Sequence, residues 1–248
     1  MLSKNTASSR AIPSTKYREG VLDDPAIPIH WGKAQKGMQA TEELADTGEA
    51  LDWWMIGMEM MAWHHAKGEA LGLHKQILNR IMEPWSMVTS IISGTDWENF
   101  FALRIHTADN MGSQWEIHQL ATEILLAVNA STPKVLKTGQ WHTPFVDCDN
   151  RKSEYYVGAK DFPEEANGYG PQLVSAARCA RVSYLTHDKK KDTLADFELA
   201  KRLAVDGHWS PFEHVAIAME TNTSWGNFFG FKQLRKFFTN ENIGRSMP

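Results

Sequence analysis

The sequence predicts an α/β chain of the α+β kind, with helices packed against a mixed or antiparallel sheet. Three observations predict it. Apolar residues recur at helical spacing over about residues 42–67, 113–130 and 192–206. Short segments with β-branched or alternating apolar residues stand at 85–92 and 215–219. Glycine and proline gather between the periodic stretches, where they punctuate turns.

Composition narrows the class. The chain has 248 residues, 42% hydrophobic and 23% charged, which fits one globular domain with a sizeable core. A net charge of -4 disfavours a protein that coats nucleic acid by bulk electrostatics, so any anion site must be a local pocket. There is no 18-residue apolar run to span a membrane and no apolar leader at the N-terminus. Cys148 and Cys179, the two cysteines, form no Cys-x-x-Cys motif and suit a reducing cytosol.

In chain order, residues 14–40 read as extended and loop-rich, because Pro13, Pro25 and Pro28 interrupt helix. A helix from Glu42 to Lys67 carries Leu51, Trp54, Met55, Met58, Met61 and Ala62 on one broad face and closes at Gly68 and Gly72. His74–Met82 reads as a second helix with Gln76, Asn79 and Arg80 on a solvated face, and Trp85–Ile92 as a strand. Two capping boxes follow, Thr95-Asp96-Trp97-Glu98 and Ser113-Gln114-Trp115-Glu116, and each predicts a helix start. Residues 131–172 read as an irregular insertion. Helices are then expected over 173–184 and 192–206, the second ended by Gly207. Ser210, Pro211 and Glu213 form a further helix-start signature, and Val215, Ile217 and Met219 alternate as a strand.

Two stretches carry candidate chemistry. Ser3-Lys4-Asn5-Thr6-Ala7-Ser8-Ser9-Arg10 has hydroxyls, an amide and two cations with no acid among them, which makes either an anion cradle or a solvated N-terminus. Arg104 follows the apolar Phe100, Phe101 and Leu103 and needs a partner, either a ligand or an internal carboxylate. No metal is expected: His64 and His65 are adjacent and diverge by about 100° on a helix, and Pro211 disrupts the spacing between His208 and His214. Cys148 lies between Asp147 and Asp149, which raises its thiol pKa and disfavours it as a nucleophile.

Four blocks together resemble the flavin-dependent thymidylate synthases: Ser3 to Arg10; Trp97 to Arg104 with Gln114-Trp115-Glu116-Ile117; Ala177 to Ser183; and Gly207 to His214. Their order is that of a circularly permuted form of the family, because the Arg-Val-Ser and Ser-Pro-Phe-Glu-His blocks follow the Ser-x-Asn-x-x-Ser-x-Arg block. His30-Trp31-Gly32 through Gln39 also looks typical of that form.

The resemblance implies reductive methylation of dUMP to dTMP with methylenetetrahydrofolate, FAD and NADPH, in a homotetramer with sites between subunits. It implies that Ser8, Ser9, Arg10, Gln76 and Gln233 hold dUMP and that Arg104 activates the uracil. Ser3, Asn5, Asn99, His208, Ser210 and Glu213 are the implied FAD contacts. The family motif opens with a His-Arg pair ahead of the position of Met1, and Ser93 and Thr95 replace an Asn and an Arg. An alternative expectation is therefore an N-terminally truncated, catalytically impaired homologue that keeps nucleotide binding only.

Overall fold

A computed structural model describes residues 2–146, 168–184 and 192–241. The chain divides into two compact units: Met1–Ala7, Thr89–Asp96 and Lys134–Pro248 form one, and Ser8–Val88 with Trp97–Pro133 the other. The general α+β class is borne out, with every strand of the described residues in the first unit.

Among the described residues the first unit contains three small antiparallel sheets. Strand β1 (Ser3–Thr6) pairs with β2 (Ser90–Ser93), Ser3 opposite Ser93. Strands β3 (Trp141–His142), β4 (Ala216–Ala218) and β7 (Phe231–Gln233) make a three-stranded sheet in the order β3-β4-β7. Strands β5 (Ser224–Trp225) and β6 (Phe228–Phe229) form a hairpin whose two-residue turn begins with Gly226 at φ +68°, where a side chain is strained. A Cβ on Gly226 would also lie 2.6 Å from the Gln233 amide nitrogen, so the close approach demands glycine a second time.

Helices α6 (Gly170–Ala180) and α7 (Thr193–Val205) supply the core of this unit. Leu173, Val174 and Ala177 pack with Phe197, Ala200, Phe212, Val215 and Leu234. Residues Gly170 to Cys179 are all buried, including Arg178. Its charge is met by Asp196 of α7, 3.0 Å away, and Arg181 contacts the other oxygen of the same carboxylate at 3.0 Å. Burial also pushes the Cys179 thiol strongly up, which leaves it inert as a nucleophile.

The second unit is helical: α1 (Ser14–Asp23), α2 (Thr47–Ala70), α3 (Lys75–Leu78), a 3-10 segment Asn79–Trp85, α4 (Glu98–Arg104) and α5 (Trp115–Ala130). Tyr17 and Val21 of α1, Met58 and Ala62 of α2, Met82 and Trp85 form its core. Glu69 of α2 accepts hydrogen bonds from Ser14 and Thr15 at 2.6 Å and pairs with Arg18 at 2.7 Å, which pulls its carboxyl down to about 2. These contacts hold α1 against α2.

Several sequence expectations are corrected. Pro13 and Pro25 bracket α1 without breaking it: Pro13 is its N-cap and Pro25 follows its end. Helix α2 starts at Thr47, because Glu42 to Leu44 pair with Trp31 to Lys33 and Asp46 caps the backbone of Gly48 and Glu49. Gly68 does not end α2; a Cβ there would sit 2.5 Å from Leu78, so glycine permits α3 to approach. The strand expected at 85–92 contracts to Ser90–Ser93, since Trp85 belongs to the helical core and donates to the Trp54 carbonyl. Neither capping box forms: the Thr95 hydroxyl accepts from Phe229 N, and the Ser113 hydroxyl donates to the Arg104 carbonyl. The segment at Ser210 is a four-residue 3-10 turn capped by Trp209 without a side-chain bond. Within the expected insertion, β3 and the start of α6 are ordered elements, and Cys148 lies outside the described residues.

The Arg178–Asp196–Arg181 triad, in which Arg178 and Asp196 are buried, yields a stability prediction. Asp196→Asn leaves two guanidiniums without their counter-charge and is expected to cost about 3–5 kcal/mol in urea unfolding. A change within about 0.5 kcal/mol contradicts the role given to this triad.

Candidate functional site

In the first unit a polar network runs beneath the Ser-Pro-Phe-Glu-His turn. Ser3 is buried at the start of β1 and donates to Glu213 Oε2 at 2.7 Å, across 210 residues of sequence. Arg235 donates to the other oxygen, Oε1, at 2.5 Å, and through Nε to Glu241 at 2.7 Å. Lys236 closes the chain onto Glu241 at 2.8 Å. Glu213 therefore holds Ser3 with one oxygen and Arg235 with the other.

A second strand of the network starts at Ser93. Its hydroxyl lies 2.8 Å from His214 Nδ1, and its carbonyl accepts from the Asn227 amide at 2.8 Å. The Asn227 amide oxygen in turn accepts from Gln233 Nε2. His214 is wholly buried, and its Nε2 has no hydrogen-bond partner among the described residues. Burial pushes its pKa down to about 4, against an opposing pull from Glu213 and with a further lowering from His142. At neutral pH this imidazole is uncharged and offers a lone pair or an N–H.

Three predicted residues, Ser3, Glu213 and Gln233, thus belong to this network. Asn5 lies two residues along β1, half-buried and opposite Ile91. His208 and Ser210 precede or open the 3-10 turn and are exposed, so an imidazole and a hydroxyl face solvent. The turn is too short to provide the helix-start anion site that the sequence signature promised. Asn227 and Glu241 were not legible as participants, because each acts through a tertiary contact that no local spacing encodes.

The other predicted residues lie in the helical unit. Asn79, expected on a solvated face, is fully buried: its amide donates to the carbonyls of Ser9 at 2.7 Å and Ile12 at 3.1 Å, and its oxygen lies 3.3 Å from His65 Nε2. Lys75 Nζ donates to the Ala11 carbonyl at 3.3 Å. These bonds fix the loop that carries Ser8, Ser9 and Arg10 beside α3, where Gln76 is exposed. Arg10 is exposed, with a long 3.4 Å bond from its Nε to the Ser8 hydroxyl, so its terminal nitrogens face solvent. The Ser9 hydroxyl donates to Glu83 at 2.7 Å; the fold brings a carboxylate to a stretch that has none in sequence.

Arg104 ends α4, half-buried, with its guanidinium 4.7 Å from the centroid of the Phe100 ring. A π face supplies the partner that the sequence demanded. The turn after it is pinned by Ser113 donating to the Arg104 carbonyl at 2.7 Å and by His106 N donating to His118 Nδ1 at 2.9 Å. Those two imidazoles stack 4.1 Å apart. Asn99 is exposed in the first turn of α4. No group of three or more potential metal ligands occurs among the described residues.

His214 generates a pH prediction. The unfolded chain takes up a proton on this residue near pH 6.5 and the folded protein only near 4, so stability falls as pH falls through that window. The expected loss attributable to His214 is about 3 kcal/mol in urea unfolding between pH 6.5 and 4. His214→Gln should flatten that slope, and an unchanged slope contradicts the assignment. Comparison with family models, with curated proteins and with solved structures gives no match.

Proposed function

We propose that this chain acts as a flavin-dependent thymidylate synthase, converting dUMP to dTMP with a one-carbon unit from methylenetetrahydrofolate and with NADPH as the source of reducing equivalents. The observation that carries the reading is the Ser3–Glu213 hydrogen bond. It joins two of the four sequence blocks that resemble the family, at residues that the resemblance assigns to one cofactor. An assembly into a homotetramer is part of the same proposal.

The residues offer a mixed fit to FAD. The exposed His208 and Ser210 are suitable donors for a diphosphate, and Asn5 is only half-buried. Ser3 and Glu213 are engaged with each other, so their part is to position the turn that bears Ser210. When bound, FAD would supply the hydride that reduces the transferred carbon to a methyl group.

The chain's own residues have separable tasks. Arg10 presents permanently charged N–H donors to the dUMP phosphate, assisted by the Ser8 hydroxyl. Arg104, fixed by the Phe100 ring and the pinned turn behind it, stabilises the negative charge on the uracil that makes its C5 nucleophilic toward the one-carbon unit. Ser9 and Gln76 flank the phosphate site. Gln233 supports the hairpin from within and acts on nucleotide only through that support.

Release of tritium from C5-labelled dUMP, in the presence of FAD, methylenetetrahydrofolate and NADPH, tests the reading. The parent chain is expected to release tritium and Arg104→Ala to lose at least about 100-fold in rate. Arg104→Ala at the parental rate removes Arg104 from catalysis. A parent that binds dUMP without releasing tritium is the impaired nucleotide-binding homologue.

A further inference from the structure

Helix α2 is apolar on two opposite faces, and only one of them is covered. Met58 and Ala62 lie in the core of the helical unit. On the far side Trp53, Ile56, Met60 and Trp63 are 70%, 56%, 59% and 64% exposed. Their spacing of 3, 4 and 3 residues keeps them on one narrow stripe, the pattern of a helix–helix seam. A helix that is apolar all round is normally buried all round, so this stripe requires a cover.

We propose that the cover is the same stripe of a second copy, the two α2 helices pairing antiparallel about a two-fold axis. Charge pattern identifies the occupant and its direction. Glu49 and Lys67, both exposed, continue the stripe by one step of four residues at its acidic and basic ends. Every member has a counterpart at equal distance from the level of Met58: Glu49 with Lys67, Trp53 with Trp63, Ile56 with Met60. Antiparallel pairing therefore sets each acid of one copy against the lysine of the other and closes the apolar residues between them. Parallel pairing would set like charges together at both ends. An isologous contact requires this kind of self-complementarity.

Tryptophans at both ends of the seam supply large aromatic area, and Lys67 Nζ already lies 5.6 Å from the centroid of its own Trp63 ring. The inference stands on this helix alone and does not rest on the proposed reaction.

Sedimentation equilibrium of the full chain tests it. The parent is expected at two or more times the 28.1 kDa chain mass, and Ile56→Asp/Met60→Asp at half the parental mass with the parental circular dichroism spectrum. A monomeric parent, or a double variant that keeps the parental mass, overturns the interface. Direction is tested separately by charge. Glu49→Lys and Lys67→Glu should each weaken association by about tenfold, and the two together should restore it. Failure of the combined variant to recover overturns antiparallel pairing.

Discussion

The Glu213 carboxylate is the constraint on which the first unit depends. It accepts from Ser3 at one oxygen and from Arg235 at the other, and so ties the first strand to the Ser-Pro-Phe-Glu-His turn and to the segment after β7. Strand β1 has four residues and, among the described residues, one strand partner, too little for independent stability. The Ser3 contact adds a tertiary anchor at its start. Behind it, the chain of bonds from His214 through Ser93 and Asn227 to Gln233 satisfies polar groups that would otherwise be costly inside the protein, His214 Nε2 excepted.

The helical unit solves an analogous problem with an amide. Asn79 binds the Ser9 and Ile12 carbonyls, holding in place a loop with little regular structure of its own. Arg10 projects from that loop into solvent, while Arg104 rests on Phe100. Both arginines are thus carried on segments fixed from behind, which is what a group that binds or polarises a ligand requires. The units also differ in how they treat charge. One buries Arg178 against Asp196 with a half-buried Arg181 beside it, and the other keeps Arg10 exposed.

Helices with strong periodicity were legible. The expectations for α5 and α7 agree with the structure within a few residues, because amphipathic spacing and the Asp192 cap act locally. Prolines misled where they delimit a helix, as at α1. Capping signatures misled where a hydroxyl found a tertiary partner, as Thr95 did with Phe229 N. The Ser210 signature was locally sound, yet the chain must turn at His214 into β4, leaving room for one 3-10 turn. Candidate residues on exposed segments were visible in the sequence, Arg10 in an acid-free polar stretch and Ser210 in a helix-start signature. Their supports Asn79, Asn227 and Glu241 were not, because hydrogen bonds between segments distant in sequence leave no periodic trace.

Cofactor binding bears most directly on the central claim, because the reaction in which Arg104 is given a catalytic role requires a bound flavin. The decisive measurement is a titration of FAD with the purified full chain, followed by visible absorption in the presence of dUMP. The account predicts a saturable bound-flavin spectrum that weakens in Ser210→Ala. A spectrum that stays that of free FAD at every protein concentration would contradict it.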